Sequence, residues 1–398
     1  MGDLSIKKLW VLMVTAFVDM VGFALVLPLL PLYARDFGAT ASTIGYLMAA
    51  FALAQLLTAP HWGRLSDRIG RRPVILGGQA LSAVAFVLFG FADSVWVLLF
   101  SRLAQGVGGG TIAVTQAYVS DAVRPEDRAQ ALGWISACTS AGVMLGPAIG
   151  SLSLAWTGSE AAPGLIAAGF CVLNMIFAWH WLPESTTGQS RDSAKERPPL
   201  GPSIAAVVTQ ASRPAHALIW VYASGMLAFM GVASITALFL SEKFAIQKEH
   251  IGYFYVLIGF CSVLMRGFFL GIFLRRFKER GTLRLGTLAL FLGLAAAPFA
   301  EHLVPFVIAM LGMPIGTALL FPATTSLISA HAEPGEAGQI HGVQQAFGGT
   351  SRFLGPIWAG YAYQAYPPAE GVAFGGGGPF WVGAVLVSVT LILALRLK

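Results

Sequence analysis

Charge is what this sequence has least of. Only 11% of its 398 residues are Asp, Glu, Lys or Arg, against about 25% in a soluble globular chain. Hydrophobic residues make up 56%, and the mean hydropathy is +0.71. That balance excludes a soluble domain and indicates a polytopic membrane protein. Cysteine is rare too: Cys138, Cys171 and Cys261 all lie in apolar runs. An odd count without paired spacing excludes a disulfide framework and a zinc site, leaving small core residues. There are no paired carboxylates, no metal-ligand cluster and no Gly-x-Ser-x-Gly elbow. A membrane hydrolase is therefore rejected, and neither metal nor cofactor is expected. The net charge of +6 follows from the positive-inside bias and gives a nucleic-acid role no support. Most Lys and Arg fall in segments read as cytosolic. The exceptions are Arg35, Lys243 and Lys248 outside, and Arg102, Arg266 and Arg352 within apolar runs.

What is abundant is apolar length. Twelve segments can cross a bilayer, at roughly 8–33, 42–62, 74–92, 95–119, 129–151, 162–182, 214–240, 250–273, 283–299, 303–329, 337–362 and 379–397. Lys7 and Lys8 precede the first, which lacks a clear cleavage site and reads as a membrane helix. Residues 183–213 are polar and proline-bearing, a cytosolic linker. The expected organisation is a six-helix bundle at 1–182, the linker at 183–213 and a second six-helix bundle at 214–398, with both termini in the cytosol.

The halves repeat. Ile44-Gly45-Tyr46 returns as Ile251-Gly252-Tyr253, and Gly63 as Gly271. Pro125, Asp127, Gln130 and Gly133 return as Pro334, Glu336, Gln339 and Gly342, and Leu145-Gly146-Pro147 as Leu354-Gly355-Pro356. Four matches in order at a nearly constant offset indicate a parallel repeat. Such repeats place a substrate site between the halves near the midplane, with one half rocking against the other.

The chain is organised around Gly63-Arg64-Leu65-Ser66-Asp67-Arg68-Ile69-Gly70-Arg71-Arg72-Pro73, a basic loop between the second and third segments. Its arginines belong in the cytosol. Gly63 would let helix ends approach closely, and Gly70 would permit a tight turn before Pro73 opens the next helix. A topogenic basic loop explains the arginines, but not the single Asp67 with glycines at fixed offsets.

These residues resemble the signature loop of the major facilitator superfamily. Three more stretches resemble its drug:proton antiporter branch. Leu99-x-x-Arg102-x-x-Gln105-Gly106-x-Gly108-Gly109 is similar to the fourth-helix motif, and Gly142-x-x-x-Gly146-Pro147-x-x-Gly150 to the fifth-helix antiporter motif. Asp19-Met20-Val21-Gly22-Phe23 with Pro28 and Pro31, and Leu182-Pro183-Glu184-Ser185, are similar to bacterial tetracycline efflux proteins. The resemblance implies an all-α integral membrane fold of twelve helices in two pseudo-symmetric six-helix bundles. Three departures stand out. Ser151 replaces the usual closing Gly, Arg275 stands where Asp67 maps, and the second half holds no acid away from its helix ends.

Asp19 is the only acid deep in any apolar segment. Desolvation disfavours a charged carboxylate, so Asp19 can take a proton from outside and release it inside. A structural Asp, capping a helix or paired with a fixed cation, is the alternative, though intramembrane ionisable residues are functional by default. Arg102 stays charged and must face water, a carboxylate or backbone carbonyls. The resemblance implies a part in proton movement, and helix packing is the other reading. For Asp67, with Arg68, Arg71 and Arg72, the resemblance implies a cytosolic gate, with Asp121 and Arg128 as charge partners. Gly142, Gly146, Pro147 and Gly150, and likewise Gly355, Pro356 and Gly360, read as gating and packing elements. Arg352 can neutralise Asp19, bind an anionic substrate, or snorkel outward. Arg266 reads as a snorkelling residue and His341 as a surface one. Phe23, Phe51, Gln105, Tyr222, Met226, Phe229, Met313, Phe321, Gln344, Gln345 and Trp358 are candidates for the substrate cavity.

The function expected is a proton-coupled efflux antiporter for small amphipathic compounds. It would sit in the bacterial cytoplasmic (inner) membrane and use the proton gradient as a monomer. The alternatives are an uncoupled facilitator, an exporter of sugar, lipid or siderophore, or a non-transporting membrane receptor.

Overall fold

The structure is a computed structural model and describes residues 3–111, 114–115, 117–118, 128–182, 184, 200–210, 213–332, 336–368 and 375–396. Among these residues every regular element is helical. α1 (Asp3–Val26) and α2 (Leu30–Asp36) form one crossing broken around Pro28, whose ring removes a backbone donor. α3 (Ala41–Ile69), α4 (Arg71–Gly90), α5 (Val95–Gly109), α6 (Arg128–Thr157) and α7 (Ala162–Trp181) follow. After the short α8 (Leu200–Thr209) come α9 (Pro214–Phe244) and α10 (Ile251–Leu264). A π-helical turn, Met265–Phe269, then leads into α11 (Leu270–Ala296). α12 (Leu303–Met310), α13 (Gly312–His331), α14 (Ala337–Ala365) and α15 (Gly378–Arg396) complete the chain.

Each of the twelve expected crossings has a helical counterpart. α11 joins the end of one crossing to the next, and Lys278 turns the chain within it, at φ 57 and ψ 179. Two readings are corrected. The basic stretch read as a loop is helical through Ile69, with only Gly70 between α3 and α4. Arg275–Arg280, which falls between the expected segments 250–273 and 283–299, is likewise helical on both sides of Lys278. Hydropathy marks where a helix leaves the apolar layer and says nothing about where its hydrogen bonding stops. The polar, proline-bearing linker contains α8, which docks through Gln339 Nε2 donating to Ser203 Oγ at 2.6 Å.

Two compact units emerge. The first comprises Met1–Gly38, Ala50–Arg197 and Gln247–Gly259. Within it α1 lies against α6 and α7, and α4 against α5 and α7. Leu12, Val74, Ile75, Tyr118, Ile135 and Leu182 are buried together. The second comprises Ala39–Ala49, Pro198–Ile246 and Phe260–Lys398. There α9 packs on α13, α14 and α15, and α11 on α13 and α15. Phe239 sits at the centre of an aromatic core, 5.0 Å from Phe306 and 4.8 Å from Phe380 between ring centroids. The first turns of α3 thus pack with the second unit and those of α10 with the first.

Candidate functional site

In the first unit Asp19 is part-buried, two turns before the end of α1. Its Oδ1 accepts from Gln79 Nε2 on α4 and from Asn174 Nδ2 on α7 at 2.9 Å. Asn174 Nδ2 also reaches the Thr15 carbonyl at 3.2 Å, which ties the amide to the turn before Asp19. Both amide side chains are buried. Their oxygens, Gln79 Oε1 and Asn174 Oδ1, have no hydrogen-bond partner among the described residues. Asp19 makes no ion pair there either. Neither amide was singled out from sequence; isolated polar residues inside apolar runs were the available signal.

The α6 glycines pack against the same helix. A Cβ on Gly142 would lie 2.5 Å from the Phe17 carbonyl oxygen, one on Gly146 2.7 Å from that of Val21, and one on Gly150 2.4 Å from that of Leu25. Backbone contact repeats at every turn, as small residues at a spacing of four allow. The corresponding face of α14 uses Gly355, whose Cβ would stand 2.9 Å from Gly231 N on α9. Pro147 and Pro356 lie inside their helices.

Arg102 is 2% exposed. It donates through Nη1 to Gln105 Oε1 and lies over the Phe51 ring, 5.4 Å from its centroid. Phe51 in turn meets Phe23 at 5.0 Å, one turn beyond Asp19. Aromatic rings thus adjoin the guanidinium, and no ion pair joins Arg102 to Asp19 among the described residues. Arg102 Nε has no partner there.

At the signature stretch, Asp67 Oδ1 pairs with Arg71 Nη1 at 2.7 Å, one turn on. Arg71 Nη1 also donates to Ser66 Oγ at 2.5 Å. The close approach expected at Gly63 is not made here, since an added Cβ would meet nothing within 4 Å. Gly70 does take a left-handed backbone, φ 105. Sequence reasoning gave Glu184 no role, yet its carboxylate accepts from the N–H of Arg71 at 2.9 Å and of Arg72 at 3.2 Å. It thereby caps α4 where the helix dipole favours an anion. Arg72 donates to the Trp179 carbonyl and lies over that ring. Asp121 lies outside the described residues, and nothing is described of the Arg128 side chain.

The second unit gathers most of the predicted cavity residues. Tyr222 meets Phe321 at 5.2 Å, and Phe321 meets Phe229 at 6.2 Å. The Tyr222 ring also fills the space beside Gly348, 2.9 Å from where its Cβ would be. Arg266 and Arg352 both act on Tyr222 electrostatically. Met226 and Met313 are buried nearby in sequence. Gln344 is buried and committed to neighbours, donating to Thr325 Oγ1 at 2.8 Å and sharing a hydrogen bond with His341 Nδ1 at 3.0 Å. His341, read as a surface residue, also bonds Ser329 Oγ through Nε2. Gln345 is exposed, and Trp358 bonds the Leu227 carbonyl.

A last cluster escaped sequence reading altogether. Lys248, in the loop before α10, contacts Asp36 Oδ2 and, at 2.6 Å, Glu160 Oε1. It also lies over Tyr33, 5.0 Å from the ring centroid, and Tyr33 donates to the Glu160 carbonyl at 3.0 Å. All four residues belong to the first unit.

Comparison with known proteins agrees with this architecture. A sequence profile of the family described as Major Facilitator Superfamily matches residues 12–356. The tetracycline resistance protein, class C, of Escherichia coli is 30% identical over 367 residues, covering 91% of each chain. Multidrug resistance protein 2 of Bacillus subtilis is 27% identical over 363 residues, 89% of this chain and 88% of the other. Among solved structures, a bacterial homologue of the human lysosomal transporter Spinster, inward-facing and occupied, superposes with a TM-score of 0.80. It is 15% identical and covers 99% of this chain and 97% of that one.

Proposed function

The chain belongs to the Major Facilitator Superfamily, and we propose that it is a proton-coupled antiporter exporting small amphipathic drugs by alternating access. It is a multi-pass membrane transporter of an efflux family and not an enzyme. The finer reading adds the bacterial cytoplasmic membrane, cytosolic termini, function as a monomer, and the proton gradient as energy source with no cofactor.

One observation carries it: Asp19, a carboxylate inside a crossing, is held by two amides and by no cation among the described residues. Ionised Asp19 accepts the amide N–H groups of Gln79 and Asn174. Protonated Asp19 becomes a donor, and the unpartnered oxygens of the same two amides are buried beside it. The site therefore has hydrogen bonds to offer either protonation state, as a residue that gains and loses a proton in every cycle requires. The α6 glycines support the coupling, since they press on the α1 backbone at Phe17, Val21 and Leu25, on both sides of Asp19.

The test is drug accumulation by everted vesicles with and without an imposed pH gradient. Antiport predicts accumulation against the concentration gradient that collapses with a protonophore. Transport indifferent to pH would instead leave an uncoupled facilitator.

A further inference from the structure

Two permanent cations, Arg266 and Arg352, lie inside the crossings of the second unit. Arg266 opens the π-helical turn Met265–Phe269, a helix irregularity frequent at functional sites. That turn packs against α13, which carries Phe321. Arg352 lies on α14, one turn beyond the Gly348 that receives the Tyr222 ring. Both guanidiniums act on Tyr222, whose ring meets Phe321 at 5.2 Å. At about 1.5 Å per residue, Tyr222, Phe321, Gly348 and Arg266 stand roughly 12–18 Å from the helix ends at Pro214, His331, Ala337 and Lys278. That is about half the hydrocarbon thickness of a bilayer.

Neither arginine joins an ion pair or hydrogen bond among the described residues. From residue 214 on, the crossings hold no Asp or Glu away from their ends. An arginine stays charged, and at this depth it requires a counter-charge or water. Arg266 is exposed and Arg352 half-buried, so neither is sealed inside the protein.

We propose that Arg266 and Arg352, with Tyr222 and Phe321, form the head-group end of the substrate site, and that its ligands are amphipathic organic anions bearing a carboxylate on an aromatic body. The guanidiniums offer paired N–H donors matched to a carboxylate, and the Phe321 and Phe229 rings offer an apolar wall to the rest. This rests on the export reading, and it specifies the charge of what is exported.

The test is equilibrium binding to the purified full-length protein, using 2-naphthoate, its neutral carboxamide and 2-naphthylmethylammonium as matched probes. The unaltered protein is expected to bind naphthoate about tenfold or more tightly than either analogue. Arg352→Gln and Arg266→Gln should each raise the naphthoate Kd about tenfold, as loss of a charge-assisted hydrogen bond does, and leave the carboxamide Kd unchanged. Amide or ammonium binding as tight as naphthoate would overturn the proposal, even if the variants failed to fold. So would folded variants that keep the original Kd. No pH gradient is involved, so absent proton coupling would fault the export reading alone. Proton-coupled export confined to cations would fault this one alone.

Discussion

A Cβ on Gly45 would stand 2.4 Å from the carbonyl oxygen of Pro356 in the second unit, and one on Gly252 would stand 2.5 Å from that of Pro147 in the first. The internal repeat makes the same contact twice: Gly45 matches Gly252 and Pro147 matches Pro356. Ser151 and Gly360 also correspond, and each makes its contact differently. Gly360 closes directly on the Ala41 carbonyl, where a Cβ would be 2.5 Å away. Ser151 Oγ instead donates to the Lys248 carbonyl at 3.0 Å and accepts from Gly252 N at 2.9 Å. The departure from the antiporter motif is therefore a hydrogen-bonded substitute for close packing.

Substituting either glycine forces the backbones apart. Gly45→Ala and Gly252→Ala are each expected to cost about 1–3 kcal/mol, the range for overpacking a tight contact. Thermal unfolding in detergent checks this, with Gly169→Ala as the control because nothing lies within 4 Å of its Cβ position. Equal midpoints for all three variants would contradict the packing account.

The cap on α4 gives a second prediction. Glu184→Gln keeps one acceptor of two and should cost about 0.5–2 kcal/mol, as loss of an N-terminal cap does. Gly70→Ala should cost more, because φ is 105 there and its Cβ would lie 2.4 Å from Glu184 Oε2. Hydrogen exchange at the Arg71 and Arg72 amides reports the cap directly and should accelerate in both variants.

Lys248 predicts a pH dependence. Burial lowers its pKa from the ordinary 10.5, but hydrogen bonds and charge from Asp36 and Glu160 outweigh burial, and the net direction is up. A raised lysine stabilises the fold fully below its unfolded value and loses that contribution as pH climbs through the folded one. The stability gap between the unaltered protein and Lys248→Met should thus hold steady from neutral pH to near 10.5 and close only above it. With these side chains 23–55% exposed, the gap should stay below about 1 kcal/mol and shrink in high salt. Closure already between about pH 7 and 9 would contradict the assignment.

Much of the architecture was legible because bilayer thickness and helical rise fix segment length, so twelve apolar runs became twelve crossings. The repeat was legible as well, since Gly45 and Gly252, and Pro147 and Pro356, recur at a nearly constant offset. Polar partners distant in sequence were not. Gln79 and Asn174 come from two other helices, and nothing in their local sequence aims them at Asp19. Glu184 lies more than a hundred residues from the amides it caps. The π-helical turn at Arg266 and the corner at Lys278 depend on backbone geometry that hydropathy does not encode.

Proton release in proteoliposomes, triggered by added drug and compared between the unaltered protein and Asp19→Asn, tests the central claim most directly. The account predicts a pH change that needs both the compound and Asp19, with Asp19→Asn folded, able to bind, and silent. Undiminished proton release from Asp19→Asn would contradict it.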